Sequence, residues 1–275
     1  MKKLGLLLLI VISSSLFACD IGGNGEKVIT VGASPTPHSA ILNSEVVKSY
    51  IESKGYTLNV IRYEDYVTPN KALNDQGIDA NYFQHTPYLL KEVSEKEYQL
   101  SVACEVHYEP LNLYSKTAVS SYDELTISIV NDFTNVERAL ALLKANSIIS
   151  DYTMTDFNTS NPNDYITKVD GINVTLECLD PGLLTNKVNY DGVAIIPGNY
   201  ALNAWGAEIA SSYKQLGESE EVAGKLANIL AVRTDDLRSE KTNILCEALS
   251  QEEVGTFINE NYGPTVVYSY KDVRS

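Results

Sequence analysis

The sequence predicts an α/β protein of two lobes with a ligand cleft between them. Short β-branched runs alternate with runs of helical periodicity up to about residue 106, which is typical of strands joined by helices. The same alternation starts again near residue 128. A chain of 275 residues is long enough for two modest lobes, each with its own core. Parallel strands would place the ligand at their carboxyl ends.

The first stretch of alternation predicts four strands and three helices. The first helix has apolar residues at helical spacing and ends before Gly55, and the third opens at Pro87. Residues 34–38, with two prolines, predict a turn. The predicted strands are 27–32, 56–63, 78–83 and 100–106, and the first two helices are 39–53 and 69–74.

The second stretch predicts a further set of strands, and then two helices near the end of the chain. An apolar helix over 136–143 follows a polar turn, and the polar segment 146–163 predicts a loop. The predicted strands are 128–130, 174–177, 193–196 and 226–232, and the last helices are 240–249 and 252–259.

The N-terminus carries an export signal. Two lysines precede an apolar run that is too short to span a bilayer, and the segment L-F-A-C (16–19) resembles a bacterial lipobox. This resemblance implies that residues 1–18 are removed and that Cys19 is lipidated. Residues 19–26 then form a flexible, glycine-rich tether. The alternative is an ordinary secretory signal with an incidental cysteine.

Composition and motifs argue against several functions. The formal net charge of −15 disfavours nucleic-acid binding, which needs clustered cations. Catalytic, nucleotide-binding and metal-binding signatures are missing from the sequence, so we predict no enzyme activity, no cofactor and no metal. Beyond Cys19, the cysteines Cys104, Cys178 and Cys246 allow at most one disulfide, and we expect three buried thiols.

Four side chains suggest an aromatic box. Tyr66, Phe83, His85 and Tyr88 lie where a predicted strand ends and a helix begins, and Phe83 and His85 point to the same side of an extended chain. Such a box suits an apolar or thioether side chain, because sulfur and aromatic rings attract each other. Ordinary packing between strand and helix is the alternative.

Two polar residues lie in apolar surroundings. Arg138 is near the start of an apolar helix, where a cation is disfavoured, so an anionic partner is expected. That partner is either a ligand carboxylate or a neighbouring acidic side chain. Asn228 interrupts an apolar strand, and its amide needs either backbone partners or a ligand ammonium group.

Several long motifs, in this order along the chain, resemble the NlpA-type substrate-binding lipoproteins, the methionine-binding components of bacterial ABC importers. The resemblance implies a type II periplasmic-binding-protein fold with lobe one at 27–115 plus 222–275 and lobe two at 116–221. The motifs are S-P-T-P-H-S-A-I-L (34–42), D-Y-V-T-P-N-K-A-L (65–73), I-D-A-N-Y-F-Q-H-T-P-Y-L (78–89), N-D-F-T-N-V-E-R-A-L (131–140) and G-N-Y-A (198–201).

The resemblance also implies roles for individual residues. Tyr66, Phe83, His85 and Tyr88 would surround the methionine side chain, whereas Arg138 would bind its carboxylate and Asn228 its backbone. Pro197 replaces a ligand-binding Asn of the family, so Asn199 is the candidate for that contact. Gly182 replaces an Arg, and V-N-D-F-T-N (130–135) lacks two family prolines.

As a whole, the resemblance implies a receptor anchored by lipid to the extracytoplasmic face of the membrane, which delivers methionine to a permease and ATPase complex. Two alternatives stay open. One is a receptor of the same fold for another small apolar amino acid or a short peptide, and the other is a surface lipoprotein with an adhesion role.

Overall fold

The structure is a computed structural model that describes residues 27–155, 162–171 and 173–274. The predicted signal peptide (1–18), the lipidation site Cys19 and the tether (19–26) lie outside the described residues. Within those residues, no helix is both long and apolar enough to cross a membrane.

The larger main sheet has six strands: β1 (Lys27–Ala33), β2 (Tyr56–Arg62), β3 (Ala80–His85), β4 (Leu100–Tyr108), β12 (Asn228–Arg233) and β13 (Val267–Asp272). Their order is β13-β4-β12-β3-β1-β2. β1 is parallel to β2 and β3, whereas β12 is antiparallel to β3 and β4, and β13 is antiparallel to β4. The sheet is therefore mixed. The four strands of the first stretch, β1 to β4, run in one direction, as predicted for parallel strands, whereas β12 and β13 run in the opposite direction, which apolar periodicity does not encode.

The second main sheet has five strands: β5 (Asn112–Tyr114), β6 (Thr126–Val130), β9 (Thr175–Leu179), β10 (Val193–Ile196) and β11 (Lys214–Gly217), in the order β11-β5-β10-β6-β9. A separate antiparallel pair is formed by β7 (Ile149–Met154) and β8 (Ile166–Gly171). The prediction of a loop over 146–163 is wrong where β7 forms.

Helices pack against these sheets. They are α1 (Ala40–Leu42), α2 (Glu45–Ser53), α3 (Thr68–Asn74), α4 (Thr86–Lys96), α5 (Phe133–Ala145), α6 (Pro181–Asn189), α7 (Gly198–Tyr213), α8 (Glu220–Gly224), α9 (Glu240–Leu249) and α10 (Glu252–Tyr262). Side-chain caps fix the starts of two helices that are important for the cleft. His85 Nδ1 accepts from the Tyr88 N–H at 3.2 Å at the start of α4, and Asp132 Oδ1 accepts from the Asn135 N–H at 3.0 Å at the start of α5.

The single helix predicted over 39–53 is broken into α1 and α2. At the break, the Ser44 hydroxyl donates to the Ile41 carbonyl at 2.6 Å, and the Asn43 amide donates to the Ser39 carbonyl at 2.8 Å. Ser and Asn side chains compete in this way for backbone groups, which ends one helix and starts the next. The predicted turn over 34–38 is one irregular helical turn, Pro35–Ser39.

The chain crosses between the two main sheets twice, after β4 and again between β11 and β12, and the C-terminal segment returns to the six-stranded sheet. The two-lobed α/β fold predicted from the sequence is confirmed. The lobe limits stay a prediction, and the pairing of β5 with β10 and β11 places residues 112–114 in the second sheet, before the limit at residue 115. Leu202 of α7 packs into the core of the first lobe, so α7 contacts both lobes.

Candidate ligand-binding cleft

A cavity with about 420 Å³ of empty space, part of it open to solvent, lies between the two sheets. β3, α4 and β12 contribute its walls from the first lobe, and α5 and the start of α7 contribute them from the second. All seven residues predicted to bind ligand line this one cavity. The lining residues are Tyr66, Phe83, Gln84, His85, Tyr88, Glu109, Asn135, Arg138, Pro197, Gly198, Asn199 and Asn228.

One end of the cavity is aromatic. The Tyr66 ring centroid lies 5.8 Å from that of Phe83 and 6.0 Å from that of Tyr88, and Phe83 and Tyr88 are 6.2 Å apart. The hydroxyl of Tyr88 donates to the Tyr66 carbonyl at 3.1 Å, which directs the polar end of Tyr88 into a protein contact. The predicted aromatic side chains are therefore neighbours in the lining of the cavity.

His85 completes this end without adding charge. Its ring centroid lies 6.4 Å from that of Tyr88, and its Nδ1 caps α4. Burial, together with the positive charge of Arg138, lowers the pKa of His85 to about 3. The imidazole is neutral at physiological pH, so the aromatic end is uncharged.

Two hydrogen bonds cross the cleft beside the aromatic end. The Tyr66 hydroxyl, in the first lobe, donates to Asn199 Oδ1 of α7 at 2.9 Å. The Tyr200 hydroxyl of α7 donates to the Glu64 carbonyl at 3.2 Å. These bonds connect the loop after β2 to the start of α7, and the described conformation therefore has its lobes in contact.

Arg138 also lines the cavity and is held by Glu218. Nε and Nη2 donate to the two Glu218 carboxylate oxygens at 2.9 and 2.6 Å, and Nη2 also donates to the Glu109 carbonyl at 3.2 Å. Both partners are partly buried, with 11% and 3% of their side chains exposed. The sequence offered an acidic side chain as one possible partner, and the structure places it there. Within the described part of the chain, Nη1 makes one long contact, to Asn135 Oδ1 at 3.5 Å.

Glu109 is a buried carboxylate in the cavity wall that we did not predict. It follows β4 at the first crossing between the lobes, and it is 6% exposed. Burial raises its pKa to about 7, although His38, Arg138 and the backbone N–H of Asn199 favour the charged form. The start of α7 comes very close, because a Cβ built on Gly198 would lie 2.5 Å from Glu109 Oε2. Any larger residue at this position would require the carboxylate or the helix to shift.

Behind Glu109, two buried histidines form a polar network. His107 Nε2 lies 3.0 Å from Glu109 Oε1, and its Nδ1 pairs with the Tyr82 hydroxyl. His38 Nε2 lies 3.0 Å from Asn228 Oδ1, and its Nδ1 lies 2.6 Å from the Ser34 hydroxyl. Asn228 thus belongs both to this network and to the lining of the cavity.

The same network has the donor set of a metal site. One ligand atom each from His38, His107 and Glu109 lies within 4.8 Å of the others. However, each ring nitrogen already has a side-chain hydrogen-bond partner, and burial lowers the pKa values of His38 and His107 to about 4 and 3. The three residues therefore belong to a hydrogen-bonded network in which neutral imidazoles support Glu109 and Asn228.

A family model described as NlpA lipoprotein matches residues 29–269. The chain belongs to the NlpA lipoprotein family. The resemblance derived from the motifs is confirmed. The methionine-binding lipoprotein MetQ of Bacillus subtilis is 35% identical over 286 aligned residues, which cover 97% of this chain and 98% of the relative.

Solved structures agree with the NlpA assignment. A nutrient-binding protein from Burkholderia cenocepacia, bound to methionine, has a TM-score of 0.76 at 29% identity and covers 88% of this chain and 99% of its own. An ABC transporter periplasmic substrate-binding protein from Coxiella burnetii has a TM-score of 0.75 at 28% identity, with 88% and 100% covered. These are structures of binding proteins with the same two-lobed fold.

The positions at which this NlpA lipoprotein departs from the family pattern have defined places in the structure. Pro197 precedes the first turn of α7 and lines the cavity. Asn199, two residues later, also lines the cavity and accepts the hydrogen bond from Tyr66. Gly182 lies in the first turn of α6, where its N–H donates to Asp180 Oδ1 at 2.9 Å, and it is not among the cavity residues.

Four lining residues besides Pro197 were not predicted as ligand contacts: Gln84, Glu109, Asn135 and Gly198. The sequence carried a signal for one of them, because Glu109 is an acidic residue directly after an apolar strand that also contains His107. A charged group at such a strand end is often functional. The close approach of Gly198 to Glu109 depends on tertiary structure and leaves no local pattern.

Proposed function

We propose that this protein is a lipid-anchored extracytoplasmic receptor that binds methionine and delivers it to an ABC importer. The observation that supports this most strongly is that one cavity combines a cluster of uncharged aromatic side chains with the charged groups of Arg138 and Glu109. An amino acid with a long apolar side chain combines the same two features.

The aromatic end matches a thioether side chain. The rings of Tyr66, Phe83 and Tyr88 supply flat, polarizable walls, and each contact of sulfur with an aromatic ring contributes about 0.3–1.5 kcal/mol. His85 is neutral and offers no charge to a ligand. A charged side chain would be buried there without a counter-ion, at a high cost in free energy. The box therefore selects for an apolar side chain.

The charged residues of the cavity match the charged groups of an α-amino acid. In our proposal, Nη1 of Arg138 donates to the ligand carboxylate while Glu218 holds the rest of the guanidinium in place. The ligand ammonium donates to the Glu109 carboxylate and to Asn228 Oδ1. A carbonyl oxygen can accept two hydrogen bonds, so Asn228 can keep its contact with His38.

Transport and anchoring complete the proposal. The related MetQ of Bacillus subtilis is named a methionine-binding lipoprotein, and the Coxiella burnetii structure is named as part of an ABC transporter. By analogy, we assign Cys19 as the lipid anchor, and the permease and ATPase of an importer as partners. We assign no catalytic residue.

Identification of the ligand that co-purifies with the protein tests the proposal. The full-length lipoprotein is extracted in mild detergent and analysed by native mass spectrometry, and the compound released on unfolding is then identified. We expect an adduct with the mass of methionine. The combined variant Phe83→Ala and Tyr88→Ala keeps Arg138 and Glu109 and should carry much less of it. A different bound compound, or a preparation that stays empty when methionine is added, would contradict the proposal. The second result would favour the adhesion alternative.

A further inference from the structure

Two buried thiols meet in the core of the first lobe. Cys104 lies on β4 and Cys246 on α9, and both are completely buried. Their Sγ atoms are 2.9 Å apart, although the two residues are 142 positions apart in the sequence. This separation is shorter than the roughly 3.5–4.0 Å usual for nonbonded heavy atoms in contact.

The pair is close to the geometry of a disulfide. A disulfide bond is about 2.05 Å long, so the two sulfur atoms would need to approach each other by less than about 1 Å. α9 packs directly against β4, and both cysteines belong to one apolar cluster. The third described cysteine, Cys178, is on β9 in the other main sheet, so it does not compete for either partner.

We propose that Cys104 and Cys246 form an intramolecular disulfide in the exported protein. The oxidant is a small-molecule or protein disulfide of the extracytoplasmic space. One cysteine thiolate attacks the oxidant and displaces one of its sulfurs as a thiol, and the second cysteine then attacks the resulting mixed disulfide. In total, two S–H bonds are lost, one S–S bond forms in this chain, and the oxidant is reduced to two thiols.

This reaction belongs to folding and not to the finished structure. In the folded state no oxidant can reach the sulfur atoms, and burial raises the pKa of the Cys104 thiol, which keeps it in the unreactive protonated form. The exchange therefore takes place before α9 has packed against β4.

The disulfide would connect distant parts of the chain. The loop that it closes contains every strand of the five-stranded sheet. A loop of this length restricts the unfolded chain strongly and so favours the folded state. The cross-link would also hold β4, the strand that leads to His107 and Glu109, against the C-terminal part of the first lobe.

The inference depends on the proposed function at one point, namely export from the reducing cytosol, where such bonds are rare. The test uses full-length protein made with its own signal in a bacterial host. The protein is treated with an alkylating agent during lysis and unfolding, then digested and analysed by mass spectrometry. We expect a cross-linked peptide pair containing Cys104 and Cys246, and an intact mass lower than that of the reduced chain by two hydrogen atoms. Alkylation of both residues in most of the molecules would overturn the proposal.

Thermal unfolding provides the second measurement. Reductant should lower the melting temperature of the wild type and of the control variant Cys178→Ala. It should not change that of the double variant Cys104→Ala and Cys246→Ala. An unchanged wild-type melting temperature in reductant would count against the disulfide. Methionine binding by the same preparation is measured separately, so loss of binding with the cross-link present would count against the proposed function alone.

Discussion

At the scale of single residues, Arg138 binds Glu218 and, in our proposal, also the ligand carboxylate. Glu218 binds Nε and Nη2, whereas Nη1, among the described residues, makes a single long contact with Asn135. Without Glu218, the arginine would be an uncompensated charge in the protein interior. Without the arginine, the Glu218 carboxylate would be uncompensated in the same way. The ion pair therefore supports the proposed ligand contact. The two partners that the sequence offered for Arg138, an acidic side chain and a ligand carboxylate, can bind it at the same time.

Arg138→Lys tests this division of roles. Lysine keeps the positive charge beside Glu218, but its compact ammonium cannot also reach the ligand carboxylate as the guanidinium fork does. We expect methionine affinity to fall by about 2–5 kcal/mol, the usual cost of losing one partner of a buried charged pair. Isothermal titration calorimetry measures it.

Arg233→Lys is the matched control. This second partly buried arginine binds Asp236 and the backbone carbonyls of Leu73 and Ile78, and it does not line the cavity. Its substitution should leave affinity unchanged. If Arg138→Lys binds methionine as tightly as the wild type does, Arg138 has only the structural role.

Glu109 predicts that binding depends on pH. Its pKa is about 7 in the described cavity, and a bound ammonium group would stabilise the ionised form. Binding therefore releases a proton, and affinity should fall by up to about tenfold for each pH unit below about 7. His38, His85 and His107 have pKa values of about 4, 3 and 3 and stay neutral in this range.

Calorimetry of wild type and Glu109→Gln between about pH 5 and pH 8 measures this dependence. The variant should bind more weakly at pH 8 and should show little change with pH. For the protein without ligand, the effect of Glu109 is opposite to its effect on affinity, because a rise in pH lowers the stability of the fold. Because the folded pKa is raised above 4.5, its contribution to stability is lost as pH rises through about 7. Constant wild-type affinity across the range would contradict the role of Glu109.

Six of the seven predicted cavity residues lie in long motifs, and Asn228 could be named as a polar residue in an apolar strand. The same motifs also contain Gln84, Asn135 and Gly198, which were not predicted as contacts. Tyr66, Phe83, His85 and Tyr88 could be named because each lies near a junction between a strand and a helix, Tyr66 between β2 and α3 and the others near the junction of β3 and α4. The place of Glu109 after a strand was a signal in the sequence, but its contact with the start of α7 from the other lobe was not predictable. The fixation of Arg138 by Glu218, 80 residues away in sequence, likewise has no local pattern.

At the scale of elements, the start of α7 determines how Glu109 is placed. Gly198→Ala would put a methyl group 2.5 Å from Glu109 Oε2 and so force the carboxylate or the helix to move. We expect methionine affinity to fall at least tenfold, because small displacements of binding groups are costly. Gly224→Ala in α8 is the control, because its nearest neighbour would be Tyr108 at 3.8 Å. Equal affinities of the two variants would show that the helix start does not position Glu109.

Several elements could not be predicted for physical reasons. β5, β11 and β13 are short or only partly buried, so their apolar alternation is weak. α7 is interrupted at Gly206, which has a positive φ of 72°, and its helical periodicity is broken there. In contrast, α9, α10 and β1 have clear apolar patterns, and their positions agree with the sequence within a few residues.

At the scale of the whole molecule, the account requires attachment to a membrane through Cys19. Cys19→Ser removes the lipidated thiol, and we expect the variant in the soluble fraction with its methionine affinity unchanged. A single acyl chain binds membranes only marginally, so stable attachment of the wild type implies several chains. Cell fractionation measures where each protein is found, and mass spectrometry measures the lipid that it carries. A variant that stays with the membrane without lipid would contradict the anchor.

The central claim is that one cavity selects an amino acid with a long, uncharged side chain. Calorimetry of the ligand-stripped protein with methionine, norleucine, leucine, lysine, aspartate and glycyl-methionine tests it most directly. We predict tightest binding of methionine, with norleucine and leucine weaker by about 1–3 kcal/mol, as is usual for differences of shape in apolar pockets. Lysine and aspartate should not bind measurably, because their charges would be buried beside neutral rings. Tightest binding of lysine or aspartate would contradict the account.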